Sequence, residues 1–81
     1  MTIAPVWICL YSLPLEYWKE EILVDLGNTL GVFAKVSEQT KKMRYTLYAR
    51  ICIYMDISQD LPEGIEMKWE DEDWFQTIDY E

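Results

Sequence analysis

Two thiols and one run of carboxylates are the groups in this 81-residue chain that could carry covalent or acid–base chemistry. A nucleophilic cysteine needs its thiolate held by a basic partner or a helix N-terminus. The chain has no histidine for a relay, and Cys9 and Cys52 both fall in extended, alternating stretches. They read as small buried thiols filling a sheet, with a cross-strand disulfide as the sharper alternative if their strands are neighbours. The consecutive acids Glu70, Asp71, Glu72 and Asp73 have no apolar surroundings that would raise a carboxyl pKa, and read as a solvated turn. They lack the spaced ligands and turn glycine of a calcium loop. The expectation is therefore a protein that is not an enzyme and that uses no metal, cofactor or small-molecule substrate.

The remaining chemistry is recognition. Trp7, Tyr11, Tyr48 and Tyr54 supply rings, and Arg50, Lys41, Lys42 and Arg44 supply cations close to them in sequence. Aromatic side chains stack on single-stranded bases for about 1–3 kcal/mol each while Arg and Lys meet phosphate. Exposed Trp, Tyr and Arg are equally the composition of protein interfaces. Net charge is −8, distributed as −3 over residues 1–31, +4 over 32–55 and −9 over 56–81. Any nucleic-acid contact must then be local to the middle of the chain, since a general basic surface is missing. The acidic tail suits a basic protein partner, or plain solubility.

These side chains have to be carried by strands. Tyr45–Asp56 alternates Leu47, Ala49, Ile51, Ile53 and Met55 against Tyr48, Arg50, Cys52, Tyr54 and Asp56, without Gly or Pro, which predicts a central strand with one buried face. Pro5–Tyr11 predicts a shorter strand, with Val6, Ile8 and Leu10 set against Trp7, Cys9 and Tyr11. Pro14 suits the first turn of a helix, and Leu15, Trp18, Ile22, Leu26 and Leu30 recur at helical steps up to Gly31, which suits a left-handed position after the C-terminus. Val32–Val36 predicts a second strand, residues 37–44 a polar, basic hairpin loop, residues 65–69 a fourth strand and residues 74–80 a fifth.

At 51% hydrophobic and 15% aromatic the chain is too apolar for disorder, and its length predicts one small domain, residues 1–81. The longest apolar run, nine residues from Ile3, is too short for a membrane helix. Two cysteines and no cleavable leader predict an intracellular protein of cytoplasm or nucleus. The order β-α-β-β-β-β predicts an α+β fold, one helix packed on a mostly antiparallel sheet. A right-handed crossover leaves a gap into which the long strand inserts, the split βαβ arrangement. If the helix covers Val6, Ile8, Leu10, Ala49, Ile51 and Ile53, the other face presents Trp7, Cys9, Tyr11, Tyr48, Arg50, Cys52 and Tyr54. Three uses of that face follow. It docks a protein partner or a second copy, it binds single-stranded RNA or DNA, or the terminal hairpin folds Trp69, Trp74 or Phe75 over it and it is only core.

Val6–Trp7, Leu13–Pro14–Leu15 followed by Tyr17–Trp18, Gly31, Lys35–Val36 with Thr40, Tyr48–Ala49–Arg50–Ile51–Cys52, Leu61–Pro62 and Tyr80–Glu81 occur in this order. In that order the chain resembles the carboxy-terminal half of a plant domain of unknown function that precedes a Cys/Cys/His/Cys zinc knuckle in LINE-type retrotransposon-derived proteins. The resemblance implies an architecture like an RNA-recognition motif, a ferredoxin-like half, and a retroelement context associated with nucleic-acid packaging. Ser37 stands where the family usually has aspartate and Cys9 where it often has a basic residue. With two cysteines and no histidine the chain holds no knuckle. The expected role is a non-catalytic interaction or assembly module, with single-stranded nucleic-acid binding as the alternative.

Overall fold

In the computed structural model, which describes residues 1–42, 47–69 and 71–81, β1 (Ile3–Tyr11) and β3 (Tyr48–Asp56) form the antiparallel centre of the sheet. Nine residue pairs run from Ile3 opposite Asp56 to Tyr11 opposite Tyr48. β2 (Val32–Val36) pairs antiparallel with the other edge of β3, and a two-residue β6 (Asp79–Tyr80) pairs with β1, so the sheet order is β2-β3-β1-β6. β1 and β2 are thus parallel with β3 between them, which is the split βαβ arrangement, and the chain is α+β. Tyr45 and Arg44 lie outside the described residues, and Leu47 is an exposed bend rather than strand. β1 starts two residues earlier than its sequence suggested. Pro5 fits because β6 reaches only Ile8 and Cys9 on the outer side of β1, so no partner there needs a proline N–H.

β1 stops where Ser12 takes a left-handed φ of 60°. Pro14 then opens a single 3-10 turn, Leu15–Tyr17, and the helix proper, α1, runs Glu20–Leu30. The continuous helix expected from Pro14 is therefore corrected. Trp18 leaves the helical path to donate its indole N–H to the Leu13 carbonyl at 2.9 Å, which shifts the phase between the two pieces. Leu15 is consequently exposed, and Leu23, absent from the expected apolar stripe, is buried beside Leu26.

Gly31 follows α1 in extended backbone, φ −178°, and not in the left-handed conformation. Its requirement is close approach: a Cβ there would lie 2.2 Å from the Tyr54 carbonyl oxygen. Residues 37–42 hold a short helix, α2 (Glu38–Lys41), in place of the open loop expected. Ser37 caps it by accepting from the Thr40 amide, while the Thr40 hydroxyl accepts from the Arg50 amide at 2.9 Å.

The expected fifth strand is divided. β4 (Gly64–Trp69) and β5 (Glu72–Thr77) make a separate two-stranded sheet, Ile78 drops into the core, and only then does β6 join β1. One core gathers Ile8, Leu10, Ala49, Ile51 and Ile53 from the sheet under Leu23 and Leu26 of α1, with Leu13, Tyr17, Trp18, Met67 and Ile78 closing its sides.

Candidate functional site

Strand parity decides what lies opposite that core. Ile8, Leu10, Ala49, Ile51 and Ile53 point to the helix. Trp7, Cys9, Tyr11, Tyr48, Arg50, Cys52 and Tyr54 alternate with them in the register and point away. Among the described side chains, those of the terminal hairpin do not close over this second face, and the Trp69 side chain lies outside them. Ile65, Met67 and Trp74 pack toward the helix-side core, Trp74 meeting Tyr17 edge-on at 5.2 Å, and Phe75 is exposed. Gln76, on the same side of the hairpin, donates to the Tyr11 carbonyl at 2.7 Å.

At the centre of the helix-free face stands Trp7. The Arg50 guanidinium lies over its ring with Cζ 4.0 Å from the centroid, and Lys35 Nζ approaches to 5.4 Å. Arg50 also forks onto Glu81: Nε donates to Oε2, and Nη2 donates to Oε1 at 3.0 Å. Glu81 is carried there by β6, whose extension is held by the Glu81 amide donating to the Trp7 carbonyl at 3.0 Å.

Hydrogen bonding to Glu81 raises the Arg50 pKa above its ordinary value, and Arg50 in turn holds the Glu81 carboxyl below its own. Cys9 Sγ donates to Glu81 Oε2 at 3.4 Å. Burial first, and Glu81 second, push its thiol up to about 11. Such a thiol stays protonated and is a poor nucleophile at neutral pH.

Both cysteines are free and buried, at 6% and 3% exposure. Cys9 faces Arg50 and Cys52 faces Trp7, so the two are diagonal and not opposite. Diagonal positions are about 7–8 Å apart, which a disulfide cannot span without backbone movement. The bland reading of these thiols is the one that fits.

Tyr11 and Tyr48 occupy one end of the face as a tilted pair with centroids 4.9 Å apart. The other end is apolar and open. Tyr54, 46% exposed, sits between Val32 and Pro5 in the register, with Ile3 one step beyond, and Val32 and Ile3 are themselves 62% and 55% exposed. Asp56 borders this end, its carboxylate taken up by Ser58 and the Thr2 amide, contacts that lower its pKa.

Of the eight residues the sequence singled out, Trp7, Tyr11, Tyr48, Arg50 and Tyr54 share this face. Lys41 does not: it lines a small cleft with Trp18, Glu20, Leu23 and Val36 on the helix side. The expectation that Lys41 stands beside the rings is corrected accordingly. Lys42 is exposed at the end of α2, and Arg44 lies outside the described residues. Lys35, Asp79 and Glu81 are face residues that the sequence reading did not assign. Asp79 and Glu81 flank Tyr80 in alternation, which was the available signal.

A second concavity, about 520 Å³, lies between the connection after β1 and the tip of the β4–β5 hairpin. Glu16, Asp71, Glu72 and Asp73 line it over Tyr17 and Trp74. Among the described residues no three metal-capable side chains converge. Nor is any helix among them long and apolar enough to cross a membrane. Comparison with protein-family models, with curated proteins and with solved structures finds no match for the chain.

Proposed function

We propose that this chain is a non-catalytic interaction module of a retroelement-derived protein, working inside the cell, and that it docks a protein through the helix-free face of its sheet. The observation that carries the reading is the division of that face. Its central arginine is already spent on Trp7 and Glu81, whereas Ile3, Pro5, Val32 and Tyr54 form an exposed apolar cluster at one end. A contiguous apolar patch bordered by charge is what a protein interface uses. A phosphate backbone would meet Asp79 and Glu81 beside the two cations, and Arg50 would have to leave its carboxylate before it could bind phosphate. The retroelement setting rests on the resemblance described above.

Single-stranded nucleic acid is the second reading, favoured by the placement of Lys35 and Arg50 beside the Trp7 ring. Titration of fluorescein-labelled single-stranded RNA at two salt concentrations separates the two. The expected result is no tight, salt-sensitive binding. Affinity that falls steeply with salt and is lost in both Tyr54→Ala and Arg50→Ala would replace protein docking with nucleic-acid binding.

A further inference from the structure

We infer that the occupant of this face is a second copy of the same chain, packed face to face about a two-fold axis parallel to the strands, an inference that rests on the docking role proposed above. The argument is one of symmetry and charge. Across the face, cations occupy the β2 and β3 side, as Lys35 and Arg50, and carboxylates occupy the β6 side, as Asp79 and Glu81. Among the described residues the structure gives Lys35 and Asp79 no salt-bridge partner, while Arg50 and Glu81 satisfy each other.

A two-fold axis along the strands, placed between β1 and β3, lays the β2 edge of one copy over the β6 edge of the other. Each Lys35 then meets the opposing Asp79–Glu81 corner, twice per dimer. A two-fold axis across the strands would instead set β2 over β2 and carbon copies of the same charge against each other. Only the first arrangement is complementary, and a two-fold dimer requires self-complementarity.

The apolar end obeys the same operation. Tyr54 and Pro5 are opposite each other on adjacent central strands, so the axis places the Tyr54 ring of one copy on Pro5 of the other, with Ile3 and Val32 at the margins. Face-to-face sheets pack about 10 Å apart with their strands within about 30° of alignment, a geometry this axis permits. Net charge reinforces the choice of surface. Two chains of −8 repel, and the face that balances Lys35 and Arg50 against Asp79 and Glu81 is where they can approach. Long-range repulsion is screened by salt, so association should persist at an ionic strength that abolishes phosphate binding.

Sedimentation equilibrium of the full chain over a wide concentration range tests the inference. Mass is expected to rise reversibly from 9.7 kDa toward twice that value. Lys35→Glu alone and Asp79→Lys alone, both at exposed positions, should each weaken association at least tenfold, and an equimolar mixture of the two should regain it, because the mixed pair has complementary charges at both contacts. Circular dichroism on each variant checks that the fold is intact. A species of 9.7 kDa at every concentration overturns the second copy and leaves docking of a different protein standing. A dimer that neither variant weakens lies on another surface and overturns the second copy on this face, while docking of a different protein there is left standing. Variants that weaken the dimer without recovery on mixing overturn the two-fold arrangement.

Discussion

The two sides of one sheet differ more than any two other regions of this molecule. Under α1 the strands present Ile8, Leu10, Ala49, Ile51 and Ile53, all fully buried and all aliphatic. One position along, the same strands present rings, thiols, an arginine and a half-exposed tyrosine. The helix side excludes water and is satisfied by non-directional packing. The open side is organised by directional contacts: an Arg–Glu fork, a cation over an indole and a pair of tyrosines. Stability is thus concentrated on one side, leaving the other free to be specified for recognition.

Neighbouring residues give the sharpest test of that division. Ile53 and Tyr54 are adjacent in β3 and point opposite ways. Ile53→Ala removes a fully buried side chain from the helix side and should cost about 2–5 kcal/mol in urea unfolding. Tyr54→Ala, though it removes a larger side chain, should cost under about 1 kcal/mol at concentrations where the chain is a monomer, since the ring is half in water there. Comparable losses at the two positions would mean that both faces are core.

Gly31 is where the two sides are joined, because the chain passes from the helix layer to the sheet edge against the backbone of Tyr54. Gly31→Ala sets a Cβ 2.2 Å from the Tyr54 carbonyl oxygen, so β2 must move away from β3. A loss of about 1–3 kcal/mol is expected, the range for overpacking. NMR should show the disturbance on both faces at once, at Phe33 toward the helix and at Lys35 beside Trp7. An unaltered β2 would show that the Tyr54 backbone on β3 gives way instead.

How far the sequence foretold these sides follows from which forces are periodic. Alternation along 48–56 and 5–11 specified the faces because a strand has a strict two-residue period, and β-α-β order with one handedness specified the insertion of β3. Breaks in period were not legible. The Trp18 indole bond to Leu13 restarts the helix and exchanges Leu15 for Leu23. A bulge between Phe33 and Lys35 turns these two residues of like parity to opposite faces, which is how Lys35 reaches Trp7. Glu81 was not assigned to the face because residues 74–80 read as one strand, whereas Ile78 turns inward and divides it. The site's rings were therefore visible in the sequence, and the charges that occupy the central arginine were not.

A smaller effect is expected at Ser37, which fixes the open face from behind. Its hydroxyl caps α2, and Thr40 of α2 accepts from the backbone amide of Arg50. Ser37→Ala should cost about 1 kcal/mol, the usual value of an N-cap. Calorimetry would detect it as a drop of several degrees in Tm for a domain this size. No change would show that β2 and β3 position Arg50 without α2.

The smallest effect belongs to the Arg50–Glu81 fork, and its sign with pH is fixed. Arg50 holds the Glu81 carboxyl below its ordinary 4.5, so the pair contributes stability that is fully present above that pH. The contribution disappears as pH falls through the lower, folded value. Arg50 stays charged throughout, and Cys9, titrating at about 11, stays a thiol. Asp56 is also depressed, by Ser58, and loses its own contribution over acid pH, so bulk unfolding would not separate the two. The Arg50 Nε–H resonance does: a carboxylate acceptor shifts it downfield at neutral pH, and it should move upfield as Glu81 is protonated. In Glu81→Gln it should sit upfield already and show no acid transition. A resonance with no acid transition in the unaltered chain would mean that Arg50 is held by Trp7 alone, and the open face would then carry a cation free to meet a partner's carboxylate.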